Sequence, residues 1–146
     1  MGANVCFLAG SVCGLLDLIS ATALYKWKGV SSERLLQFIA SGALGESAFR
    51  HGKKSAALGF LCHFSIAFLA AAAYYTASRR FAFLTSHAFV SGLLYGVLIH
   101  LFMSFVVIPL SRTPKREFTA SAFLQQLLVH AFVVGPSISL VVAHYA

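Results

Sequence analysis

The segment Ala56-Ala-Leu-Gly-Phe-Leu-Cys-His-Phe-Ser-Ile-Ala-Phe-Leu-Ala-Ala-Ala-Ala-Tyr-Tyr75 decides the fold class of this chain. It contains no Lys, Arg, Asp or Glu, and it is flanked by the basic pairs Lys53-Lys54 and Arg79-Arg80. A helix of about twenty residues rises about 30 Å, which matches the hydrocarbon thickness of a bilayer. The segment therefore predicts a transmembrane helix, and it places His63 well inside the membrane.

The composition extends this conclusion to the whole chain. Of its 146 residues, 59% are hydrophobic and 10% are charged, and the mean hydropathy is +0.83. Soluble domains are about one quarter charged, so the sequence indicates a single integral membrane domain over residues 1–146. The net charge of +7 comes from Lys and Arg beside apolar segments. We therefore expect anionic lipid headgroups, not nucleic acid, as the partner of these cations.

Hydropathy predicts four transmembrane helices, over about 4–25, 56–76, 87–110 and 119–145. Between the first two, Ser31-Ser32-Glu33 is typical of an N-cap and first turn. It predicts a short amphipathic interfacial helix over about 32–41. Pro136 removes a backbone donor and predicts a kink near Gly135. The expected fold is all-α, a polytopic four-helix bundle.

The basic residues predict the orientation of the chain. Most of them lie in the connections 26–55 and 111–118, and only Arg79 and Arg80 lie on the opposite side. The positive-inside rule therefore places these two connections in the cytoplasm and both termini outside. Within the first connection, Arg50, Lys53 and Lys54 are the candidates for contact with lipid headgroups.

Four ionisable residues form a polar layer at a similar predicted depth. They are Asp17, His63, His100 and His130, one on each transmembrane helix. Each lies about nine to fourteen residues from a basic anchor, or roughly 14–21 Å into the membrane. Ionisable groups at the midplane are costly and normally face the interior of a bundle, so they are candidates for a functional site.

Three interpretations of this layer remain open. The first is a structural plug, in which the imidazoles donate to Asp17, to serines or to backbone carbonyls. The second is a cofactor site, in which His63 and His130 ligate a haem b iron, or these two with His100 and Asp17 bind a transition metal. The third is a proton- or ion-coupled transport path through Asp17 and the histidines. By default we expect no cofactor.

Other sequence signals for chemistry are weak. Cys6, Cys13 and Cys62 form no Cys-x-x-Cys pair, so they predict neither a zinc site nor a redox motif. Hydrolase, P-loop and dinucleotide motifs are missing from the sequence, and we name no catalytic residue. A Gly92-x-x-x-Gly96 stripe offers a surface for a partner helix, in a homo-oligomer or in a larger membrane complex.

Several segments carry a resemblance to a known family. They are Gly42-Ala-Leu-Gly-Glu-Ser-Ala-Phe49, Leu58-Gly-Phe-Leu-Cys-His-Phe64, Tyr74-Tyr-Thr-Ala-Ser-Arg-Arg80, Leu94-Tyr-Gly-Val97, Val107-Ile-Pro-Leu-Ser111 and Leu128-Val-His130. Over 41–137 the chain resembles a family of small bacterial inner-membrane proteins, and it is more distantly similar to YagU-type proteins. The resemblance implies a bacterial source and a four-helix fold, and it implies no activity. It favours an aromatic residue where this chain has His100, which leaves His63 and His130 as the expected pair.

The sequence as a whole favours a small non-catalytic membrane subunit or accessory protein. Its alternatives are a haem- or metal-binding redox protein and a small coupled transporter. The substrate, the partner and the oligomeric state do not follow from these patterns.

Overall fold

A computed structural model describes residues 2–115 and 117–145 of the chain. Four of its helices are long and apolar enough to cross a membrane, which makes the chain a multi-pass all-α membrane protein. They are α1 (Gly2–Trp27), α3 (Gly52–Ser78), α5 (Ala88–Leu110) and α6 (Ala120–His144). Two shorter helices, α2 (Ser32–Leu44) and α4 (Phe83–Ser86), lie in the connections. The predicted all-α four-helix architecture is confirmed.

The helix ends follow local sequence signals. Ser31 caps α2, and its hydroxyl accepts a hydrogen bond from the Arg34 amide at 3.2 Å, as its sequence predicts. Helix α2 extends three residues beyond the expected end, to Leu44, and a 3₁₀ segment, Gly45–Arg50, joins it to α3. Helix α3 begins at Gly52, so Lys53 and Lys54 belong to its first turn. Arg50, Lys53 and Lys54 are all exposed there, where they stay candidates for headgroup contact.

In the bundle of long helices, α1 packs on α3 and α6, and α5 packs on α6. Between α5 and α3, the Tyr95 hydroxyl donates to the Ala70 carbonyl at 2.8 Å. The main apolar core is built by α1, α3 and α6, from Val5, Ala9, Cys13, Ala67, Ala71, Tyr74, Val134, Ile138 and Val142.

The connections between the helices meet at one end of the bundle, which we call the loop end. The Arg112 amide donates to the Gly42 carbonyl at 2.9 Å, so the turn after α5 lies against α2. Lys28, after α1, donates from Nζ to Oε1 of Gln125 on α6 at 2.8 Å. At the opposite end, which we call the terminal end, Gly2 lies beside the Tyr75 ring at the end of α3. The two basic connections therefore share one end.

Helices α5 and α6 approach each other at the backbone. A Cβ atom added to Gly96 would overlap the His130 carbonyl, and one added to Gly135 would overlap the Gly92 carbonyl. Small residues allow such contact between membrane helices. The Gly92/Gly96 stripe therefore faces α6 within the chain. Because its glycines are buried there, it is not the exposed surface for a partner helix that the sequence predicts.

Both α5 and α6 contain one wide turn ahead of a proline. The π-helical segments are Met103–Val107, before Pro109, and His130–Val134, before Pro136. In each case the amide of the residue just before the proline donates five residues back, from Ile108 to Met103 and from Gly135 to His130. At the position where the sequence predicts a kink, the structure thus contains a π turn. Such turns occur frequently at functional sites.

Candidate functional site

One open cavity of about 830 Å³ lies between the four long helices. Its lining includes all four members of the predicted polar layer, Asp17, His63, His100 and His130. Each comes from a different one of the helices α1, α3, α5 and α6. The expectation that these groups face the interior of the bundle agrees with this arrangement.

The cavity extends from the polar layer to the loop end. There its lining includes Lys28 after α1 and residues of the segment between α5 and α6, namely Ser111, Thr113, Pro114, Lys115 and Glu117. Lys28, Lys115 and Glu117 are exposed. At its other limit the cavity reaches Ala70 and Val134, the latter a residue of the apolar core. The cavity therefore extends from the loop end toward the middle of the bundle.

The His63 imidazole is fixed to α1. Its Nε2 lies 2.8 Å from the Gly14 carbonyl, and because a carbonyl only accepts, Nε2 carries the hydrogen. The ring also meets Phe64 edge-on, with centroids 5.4 Å apart. Gly14 is one helical turn before Asp17, so His63 and Asp17 belong to the same part of the cavity wall.

The Asp17 side chain is half-buried and lines the cavity. Within residues 2–115 and 117–145, its carboxylate has neither a hydrogen bond nor an ion pair. It is the only Asp or Glu in the four membrane-crossing helices. A carboxylate in this environment requires a proton or a cation to offset its desolvation.

His100 and His130 form the close imidazole pair of the site. Their ring centroids are 5.1 Å apart, and the planes are inclined by 52°. Nδ1 of His130 donates to the Gln126 carbonyl at 2.8 Å, which leaves its Nε2 free in the neutral ring. His100 is 5% exposed, and the centroid of its ring lies 4.6 Å from that of Phe123. Its buried Nε2 has no hydrogen-bond partner among the described residues.

The two histidines that lie in contact are not the two that the sequence favours as a pair. Sequence reasoning favours His63 opposite His130, whereas the ring contact joins His130 to His100 and the hydrogen bond of His63 goes to α1. No group of three His, Cys, Asp or Glu within residues 2–115 and 117–145 is arranged to hold a metal ion. The haem role of His63 and His130, and the metal role of these two with His100 and Asp17, stay predictions.

Several lining residues were not singled out by sequence reasoning. Phe123 packs on His100, and Ile66, Ile99 and Phe105 contribute apolar wall. The hydrogen bond from Lys28 to Gln125 connects α1 to α6 beside the mouth. The prolines at 109 and 136 are the sequence signal that could have located the wide turns. Gln126, Met103 and Ser104, each about one helical turn from a histidine, also line the cavity.

Comparisons with protein-family models, with curated proteins and with solved structures return no match to this chain. The site must therefore be interpreted from its own chemistry. It combines one unpaired carboxylate, three imidazoles and an extensive apolar wall in a space of ligand size.

Proposed function

We propose that this chain is a small non-catalytic protein of a bacterial inner membrane that binds a small molecule in the Asp17 cavity. In this role it is the binding subunit of a carrier or of a larger membrane complex. The connections 26–55 and 111–118 lie in the cytoplasm, so the cavity opens to that side. The observation that carries the proposal is that four ionisable side chains, one from each long helix, line one cavity.

The unbonded Asp17 carboxylate and the open space beside it support a binding site over a structural plug. The hydrogen bonds of His63 and His130 to backbone carbonyls are of the kind that a plug predicts. Asp17, however, bonds to no described residue. About 830 Å³ stays open beside them. Sites for small molecules are typically clefts of about 300–1,000 Å³ with apolar walls and a few convergent polar groups.

Chemical labelling of single cysteines tests whether water reaches the cavity. The background replaces Cys6, Cys13 and Cys62 by Ala, and Ser104→Cys then adds one thiol to the cavity lining. Its matched control is Ser65→Cys, because Ser65 is an exposed residue of α3 outside the cavity. The reagent is a membrane-impermeant cationic methanethiosulfonate, applied separately to inverted and to right-side-out vesicles.

We expect Ser104→Cys to react in inverted vesicles and Ser65→Cys to stay unlabelled, because lipid covers the second position. Equal labelling of the two thiols, or labelling of neither from either side, would overturn the proposed cavity. Reaction of Ser104→Cys in right-side-out vesicles alone would reverse the proposed orientation. Size-exclusion profiles in detergent check that both variants are folded.

A further inference from the structure

We infer that the ligand of the Asp17 cavity is an organic ammonium ion, a protonated amine that carries an apolar ring or chain. The inference rests on the proposed function and adds the chemical class of the ligand. Four observations support it: the charge of the site, the direction of its hydrogen bonds, its unpartnered imidazole and its walls.

The inner cavity contains one carboxylate and no Lys or Arg among the described residues. Asp17 is its carboxylate, and no described cation pairs with it. The basic residues that line the cavity, Lys28 and Lys115, are exposed at the mouth, and Lys28 is bonded to Gln125. Solvent and salt screen such exposed charges over distances of about 8–10 Å. A ligand cation beside Asp17 would neutralise the carboxylate where desolvation is greatest.

Three hydrogen-bonding groups of the inner cavity can act as acceptors. His63 uses Nε2 as a donor to Gly14, so its Nδ1 accepts in the neutral ring. His130 uses Nδ1 as a donor to Gln126, so its Nε2 accepts. Together with the Asp17 carboxylate, these atoms require donors from a ligand. A primary ammonium group supplies three N–H donors and no acceptor.

His100 adds an unpartnered group at the same site. The side chain is buried, and its Nε2 has no hydrogen bond within the described chain. Unpartnered buried polar atoms are uncommon because each costs free energy. His100 lines the cavity beside His130, so a bound ligand can provide the missing partner once the side chains that cover Nε2 make room for it.

The walls require more than an inorganic cation. Ile66, Ile99, Phe105 and Phe123 line the cavity, which is far larger than a single ion. Apolar ligand surface against these side chains would be removed from water, and an aromatic face near an ammonium group adds cation–π attraction. The site therefore fits an amine with an aromatic or aliphatic body.

The test compares four fluorescent naphthalene compounds on the full chain in mild detergent. They are 1-naphthylmethylammonium, its trimethylated analogue, neutral 1-naphthylmethanol and anionic 1-naphthylacetate. Fluorescence anisotropy measures binding to the wild type, to Asp17→Asn and to Glu46→Gln. The last is the matched control, because Glu46 is an exposed carboxylate outside the cavity.

We expect the primary ammonium to bind most tightly, and Asp17→Asn to weaken it about ten- to a hundredfold, as for loss of a charged hydrogen bond. Glu46→Gln should bind it as the wild type does. The trimethylated cation should bind less tightly, because it has no N–H donor. Tighter binding of the alcohol or of the acetate would overturn the inference, as would equal binding by wild type and Asp17→Asn.

The two proposals can fail separately. Labelling of Ser104→Cys without ammonium binding would retain a water-filled cavity and reject this ligand class. Absence of labelling at Ser104→Cys would reject the cavity itself.

Discussion

The two halves of the bundle are built differently. Toward the terminal end, α1, α3 and α6 pack small and branched side chains around Tyr74, Ile138 and Val142, all almost completely buried. Toward the loop end, the same helices diverge from α5 and leave the Asp17 cavity. The closed half contains the apolar core, and the open half contains the polar layer.

This difference separates stability from function within one short chain. Protein interiors are close-packed, so the closed half has little freedom to accept a change in volume. The open half contains the unbonded Asp17 carboxylate and the unpartnered Nε2 of His100, beside space that side chains do not fill. Substitutions in the closed half should therefore lower stability, and substitutions in the open half should weaken ligand binding.

The largest effect on stability is expected from Gly96→Ala. The added Cβ would overlap the His130 carbonyl, and neither backbone can move without separating α5 from α6. We expect a loss of about 1–3 kcal/mol in the free energy of unfolding. Thermal unfolding in detergent measures it. Gly42→Ala is the control, since its Cβ would meet Thr113 Oγ1 at 3.7 Å and helix propensity favours Ala. An unchanged midpoint for Gly96→Ala would show that the close contact is not rigid.

A smaller effect is expected from Tyr74→Phe in the closed half. The Tyr74 hydroxyl donates to the Leu84 carbonyl at 2.9 Å, while the ring is 2% exposed. Its removal should cost about 0.5–1.5 kcal/mol. The same unfolding assay tests it against Tyr145→Phe, whose ring is 48% exposed. Equal midpoints for the two variants would show that this hydrogen bond does not stabilise the closed half.

The smallest effect on stability is expected from Asp17→Leu in the open half. Because the carboxylate has no described partner and its removal relieves its desolvation, the free energy of unfolding should fall by no more than about 0.5 kcal/mol. Naphthylmethylammonium binding should nevertheless be lost. The unfolding midpoint and the anisotropy are measured on the same preparation. If the variant fails to fold, Asp17 is part of a structural plug. Stability would then depend on the open half as well as on the closed half.

The sequence predicts the architecture well because membrane helices depend on length and hydropathy. A spanning segment must satisfy its own backbone hydrogen bonds, so a charge-free run such as 56–75 has one available structure. The Ser31 cap is likewise a local signal. The interior position of Asp17 and the histidines could be inferred from the cost of exposing them to lipid.

The pairing within the site could not be inferred in this way. Helical periodicity assumes about 3.6 residues per turn, whereas α5 and α6 each contain a π turn beside the histidines. Each wide turn rotates the later residues of its helix about the helix axis. The contact of His100 with His130 also depends on the approach of Gly96 to α6, which joins residues far apart in the chain. The Gly92-x-x-x-Gly96 pattern predicts a packing surface, but it does not identify the helix that packs on it.

The backbone contact between Gly96 and His130 has a mechanical consequence. It lies where the closed half meets the open half, so it can serve as a fulcrum between α5 and α6. From Gly96 to Leu110, helix α5 forms a lever about 21 Å long. A tilt of about 10° around the fulcrum moves the far end of that lever by about 4 Å. A tilt of this size would therefore change the width of the cavity mouth.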